Sequence, residues 1–121
     1  MTMLQRILAL AILGVVLAGC GPVSIRTAPA AAQACDEALA TGKLVKSAQS
    51  GLAIAGPTGA VTEVLWPYGY SARTEGGRVA LLDQTGTVVA REGDTISMGG
   101  GLGANNTWAA CAGTISVVPP S

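Results

Sequence analysis

Two runs of branched residues, 78–82 and 87–91, face each other across Asp83-Gln-Thr-Gly86, and no feature of the chain constrains its fold more. An aspartate at the head of such a turn accepts a backbone N–H bond two residues on, and a glycine at its end takes the positive φ that a type I turn with a bulge requires. The segment therefore reads as a β-hairpin. Arg91-Glu92-Gly93-Asp94 reads as a second turn feeding Thr95–Met98. The same punctuation recurs from Gly42 onward, with short branched stretches between glycine-rich breaks. It gives strands over Lys43–Gln49, Leu52–Ala55, Val61–Trp66, Arg78–Leu82, Thr87–Arg91, Thr95–Met98, Thr107–Ala110 and Thr114–Val118. Successive hairpins around a small core predict an all-β fold, a five- or six-stranded barrel or roll of OB-like build.

The material for that core is thin. Phenylalanine and histidine are both absent, and the aromatic complement is two Trp and two Tyr. Without histidine there is no Ser-His-Asp or Cys-His arrangement and no ordinary His-containing zinc site. Seven basic and seven acidic side chains cancel. That balance gives no electrostatic reason to expect nucleic acid as a partner, since neutralising a row of phosphates needs a basic patch.

The N-terminus reads differently from the rest. Met1 to Arg6 carries one basic side chain and leads into the apolar run Ile7 to Leu17, whose 11 residues suit an export signal and fall short of a membrane-spanning helix. The run ends in Leu17-Ala18-Gly19-Cys20, a branched apolar residue, two small residues and a cysteine. These four positions resemble the lipobox of bacterial lipoproteins. The resemblance implies that residues 1–19 are a signal peptide removed before Cys20, that the Cys20 thiol carries a diacylglyceryl group, and that the protein sits at the cell membrane or outer membrane, facing the periplasm or the exterior. The competing readings are an uncleaved anchor and a buried cysteine behind an ordinary signal. Two acyl chains anchor stably where one is marginal, so the folded domain need contribute nothing to membrane retention.

Residues 20–34 contain Pro22 and Pro29 without an alternating apolar pattern and read as a flexible tether, with residues 35–121 as the β domain. An alanine-rich helix over 30–40 is the alternative for part of that stretch. Cys35 and Cys111 are the two cysteines left once Cys20 is lipidated, at the start and near the end of the domain. In an oxidising compartment they read as a disulfide, which a small domain with a thin core would need, or else as two separate buried thiols. From Trp66 to about Gly101 the chain also resembles a class of small exported bacterial proteins, many of them lipoproteins, of unassigned activity. Trp66-Pro67-Tyr68-Gly69-Tyr70-Ser71-Ala72-Arg73, Val79 to Asp83, Val88 to Asp94 and Gly99-Gly100-Gly101 carry that likeness.

Motifs for catalysis are weak. Gly99-Gly-Gly-Leu-Gly-Ala104 formally satisfies the loose dinucleotide fingerprint, but no helix or distant acidic residue follows to complete it, so it reads as a flexible β connection. Glu92 and Asp94 make a poor oxygen cage and read as turn residues. Asn105-Asn106-Thr107 is a chance match to a glycosylation triplet, and no Ser-x-x-Lys occurs. No cofactor or metal is expected. Trp66, Tyr68 and Tyr70 lie within five positions, and Arg73 follows. Exposed, these four would form a surface for a peptide, a glycan or an envelope protein; buried, Trp66 and Tyr70 would plug one end of the barrel. Trp108 reads as core. The function expected is therefore a lipid-anchored, non-catalytic binding or structural module of the cell envelope. The alternative is a small hydrolase of peptide or glycan acting through Glu63, Glu75 or Asp94.

Overall fold

The computed structural model describes residues 21–120. Ten strands run in chain order: β1 Gly21–Val23, β2 Ala38–Ser47, β3 Gly51–Ala55, β4 Val61–Leu65, β5 Ser71–Glu75, β6 Arg78–Leu82, β7 Val88–Arg91, β8 Thr95–Leu102, β9 Trp108–Ala110 and β10 Ser116–Val117. Each of the eight strands expected from the sequence is present. Two strands, β1 and β5, come in addition.

Strands β2, β3, β4, β9 and β8 are hydrogen-bonded in that order, and β8 returns to β2, so the five close a barrel. All its pairings are antiparallel except β4 with β9, where Val64 lies opposite Trp108. This out-of-sequence order is a small Greek-key barrel of OB-like build, with β10 added outside it along β8. Between the third and fourth barrel strands the chain inserts β5, β6 and β7, which form a second sheet in the order β1-β5-β6-β7.

The two sheets share one core. Leu44, Leu52, Ile54, Val64, Ile96 and Met98 from the barrel meet Ala72, Val79, Leu81 and Ala90 from the smaller sheet, with Trp66 and Tyr70 on the connection between them. With few large apolar side chains available, the fold compensates by bringing backbones together. Gly100, at φ 149°, lets β8 approach Trp108 and the Ala109 carbonyl so closely that a Cβ would overlap both. The glycine run is thus paired strand, with Gly100 opposite Ala38 on one side and Ala110 on the other, rather than the flexible connection expected. A second close approach occurs at Gly51, φ 78°, which packs under Ser24 and Ile25.

The turns follow the sequence reading. Thr85 N donates to Asp83 Oδ1 at 2.9 Å, Gly86 N to the Asp83 carbonyl at 3.0 Å, and Gly86 sits at φ 83°. Asp94 N donates to the Arg91 carbonyl, and Arg91 N to Asp94 Oδ2 at 2.8 Å. Cys35 and Cys111 form a disulfide with Cα atoms 6.0 Å apart, settling that alternative.

The tether reading is corrected for its first eight described residues. Gly21, Pro22 and Val23 pair antiparallel with Thr74, Arg73 and Ala72. Further on, Arg26 N donates to the Ser50 carbonyl, Trp66 N to the Arg26 carbonyl and Ala28 N to the Trp66 carbonyl, at 3.0, 2.9 and 2.8 Å. Val23 and Ile25 pack against the core. The prolines misled the reading because both stand where the ladder asks little of them: Pro22 is on an edge strand and Pro29 lies beyond the last bond. No helix forms over 30–40, and its C-terminal residues enter β2 instead. Cys20, the expected lipidation site, and the signal segment before it lie outside the described residues.

Candidate functional site

The aromatic cluster divides as the chain leaves the barrel. Trp66 follows β4 directly and is 0% exposed; its indole N–H donates to the Leu52 carbonyl at 2.9 Å, while its backbone bonds the N-terminal segment on both sides. Pro67, Tyr68, Gly69 and Tyr70 then make a turn in which Tyr70 N donates to the Pro67 carbonyl and Gly69 takes φ 83°. The turn sends its two tyrosines in opposite directions. Tyr70 is 6% exposed, and its hydroxyl accepts from Gly113 N at 3.3 Å. Tyr68 is 56% exposed. Trp66 and Tyr70 are therefore core, and their placement among the candidate binding residues is corrected: each has its polar atom bonded inside the protein, as burial of Trp or Tyr demands.

Tyr68 borders a hollow of about 320 Å³ whose wall includes Pro67, Gln84, Ala28, Ala31 and Ala112 and the Cys35–Cys111 disulfide. Most of this wall is apolar, with Gln84 and Tyr68 supplying its polar side-chain groups. Ala28 and Ala31 came from the segment read as tether, and Gln84 from a hairpin read only for its turn. The signal that was available is the alanine spacing in Ala28-Pro-Ala-Ala-Ala32, which without the tertiary fold cannot be told from linker composition.

Arg73 does not join that hollow. It lies on β5, beside Gly21 and Pro22. Its Nε donates to Glu75 Oε2 at 2.6 Å, and Arg91 approaches the other Glu75 oxygen at 3.8 Å. Directly opposed residues in a sheet share a face. The register Pro22–Arg73–Ala80–Arg91, with Glu75 opposite Arg78, therefore puts three arginines and one glutamate on the outward face of the small sheet. Arg78 and Arg91 went unnoticed in the sequence, although the hairpin reading already implied that they sit at the same end of it.

The carboxylates of the hydrolase alternative are engaged separately. Ser47 Oγ donates to Glu63, 2.6 Å from Oε2, and the fully buried Ser50 Oγ donates to the same oxygen at 2.9 Å while accepting from Val64 N at 3.2 Å. Glu63 thereby clamps the β2–β3 turn to β4. Glu75 is held by the arginines and Asp94 caps its own turn. Glu92 Oε1 accepts from Val79 N at 3.1 Å and lies 4.0 Å from Lys46 Nζ. Among the described residues no three acidic or cysteine side chains converge on a point where a metal ion would be held.

Asp83 is the carboxylate with a displaced pKa. The Thr85 hydroxyl, 2.6 Å from Oδ1, and the backbone N–H groups of Thr87 and Thr85 favour its charged form and hold it below its ordinary value of 3.8, against a smaller desolvation effect. This is turn chemistry on a solvated loop. Compared with known protein families, characterised proteins and solved structures, the chain matches none.

Proposed function

We propose that the protein is a lipid-anchored component of the bacterial cell envelope whose β domain is a non-catalytic binding module. The lipobox-like Leu17-Ala18-Gly19-Cys20 supports the anchor, and a disulfide between the other two cysteines suits an oxidising compartment. The observation that carries the binding role is the apolar hollow whose wall joins the exposed Tyr68 to the cross-linked Cys35 and Cys111. A rigid aromatic beside a shallow apolar depression offers contact area at small entropic cost, the usual composition of an anchor point for a peptide, a sugar face or a protein loop. The carboxylates of Glu63, Glu75, Glu92 and Asp94, by contrast, are spent on hydrogen bonds within the fold and on ion pairs.

Two measurements test this. Radiolabelled palmitate fed to producing cells should label the wild-type chain and not Cys20→Ser; label on the serine variant would sink the anchor. A photo-crosslinking phenylalanine analogue at position 68 should give a discrete adduct in intact cells that the same analogue at the exposed Thr58 does not give. Identical patterns at the two positions would remove the hollow as a binding site.

A further inference from the structure

We propose that the 75–78 end of the β1-β5-β6-β7 sheet meets phospholipid headgroups, with the outward-facing Arg73, Arg78 and Arg91 binding their phosphates. The inference depends on the reading of Cys20 as the lipidated residue, and goes beyond it by fixing which way the domain faces.

Three observations combine. First, there is no spacer: Gly21, next to Cys20 in the chain, is already paired with Thr74, so the lipid attachment lies one Cα–Cα step of about 3.8 Å from an ordered strand. The edge carrying β1 must therefore lie at the bilayer surface. Second, the sheet next to that edge presents Arg73, Arg78 and Arg91 against the single carboxylate of Glu75 on its outward face. The other described charges are Arg26, Lys43 and Lys46 against six carboxylates, so this face is cationic on a domain that elsewhere is net anionic. At its rim Lys46 and Glu92 offset each other. Third, the basic side chains are arginines, whose planar donors match phosphate oxygens in pairs; Arg73 and Arg91 are about half exposed, with donors to spare beyond Glu75.

The anchor removes most of the association cost. Held within a few ångströms of the headgroups, these arginines meet phosphate at an effective concentration at which weak contacts suffice. The opposite end of the same sheet carries the Asp83 hairpin, and its charged carboxylate is repelled by the same surface. The domain then stands with the 75–78 hairpin toward the lipid and the 83–87 hairpin toward solvent.

Amide hydrogen exchange on the full lipidated chain, in vesicles of phosphatidylethanolamine and phosphatidylglycerol and in neutral detergent, tests this orientation. Exchange over residues 75–78 should slow by about threefold or more on vesicles while residues 83–87 are unchanged. Arg78→Gln/Arg91→Gln should abolish the slowing although the protein stays lipidated and vesicle-bound, and Arg78→Lys/Arg91→Lys should recover part of it. The same vesicle-to-detergent ratio at the two hairpins, on a chain whose mass shows the lipid, would overturn the orientation alone. A chain whose mass shows no lipid would overturn the anchor and this inference together.

Discussion

The barrel and the small sheet solve opposite problems. In and beside the barrel, the aromatic side chains of Trp66, Tyr70 and Trp108 are turned inward, and most of the polar atoms there are consumed: the Trp66 indole by Leu52, the Tyr70 hydroxyl by Gly113, the Glu63 carboxylate by two serines, while the Trp108 indole N–H is buried without a partner. The small sheet buries one face of Ala72, Val79, Leu81 and Ala90 and leaves arginines on the other. In a chain without phenylalanine, the residues that look most like a binding site by type are the ones the core claims first. Tyr68 and the arginine face stay outside that core, and the proposed contacts fall there.

The sharpest way to break this contrast is Trp66→Ala. Removing a fully buried indole that bonds Leu52 and supports the N-terminal segment should cost about 3–5 kcal/mol, read from urea denaturation. A loss under 1 kcal/mol would mean that Trp66 is not the plug described. Opening the cross-link comes next. Cys35→Ser/Cys111→Ser should lose about 2–4 kcal/mol in the same assay, because 76 residues separate the linked positions and the unfolded chain regains their freedom. Glu63→Gln should cost about 1–3 kcal/mol by weakening the acceptor of the Ser47 and buried Ser50 hydroxyls, with hydrogen exchange accelerating in the β2–β3 turn ahead of the 83–87 hairpin. Tyr68→Ala should change stability by about 0.5 kcal/mol or less, the outcome for an exposed side chain whose work is done outside the core. A large loss there would erase the distinction between the two tyrosines.

Acid offers a local version of the same comparison. Because the folded-state pKa of Asp83 is depressed, its contribution is complete above the ordinary value of 3.8 and is lost as pH falls from there through the lower folded-state value. Thermal melts of the wild type and Asp83→Asn should therefore draw together as pH is lowered through that window. A gap that persists below it would mean that the carboxylate's charge is not what closes the turn.

Much of the fold was legible because its signals are local. The Asp83–Gly86 turn and the alternation on either side of it need nothing from the rest of the chain. Strand β5 escaped because Ser71-Ala-Arg-Thr-Glu75 buries only Ala72 well and is otherwise polar; it becomes a strand by lying between β1 and β6. Strand β1 escaped because Pro22, with Pro29 after it, mimics linker composition, and the Val23, Ile25 alternation that begins in the strand spans too few residues to outweigh them. The arginine face was half visible, since pairing 78–82 with 87–91 already gathers Arg78 and Arg91; Arg73 joins them only through β5. The hollow was not visible at all, since its wall combines the N-terminal segment, the Tyr68 turn, the Gln84 hairpin and residues 110–112.

The parallel pairing of β4 with β9, together with the Cys35–Cys111 link, also sets an order of events. Every closure of the barrel waits for residues beyond 94: β2 for β8, β4 for β9, Cys35 for Cys111. Contacts of such long sequence separation form late and slowly. A chain emerging N-terminus first stays threadable until its last quarter arrives, and only then can it snap shut and be covalently locked. On the proposal that the chain is exported as an unfolded thread, the latch lies on the part that arrives after residue 94.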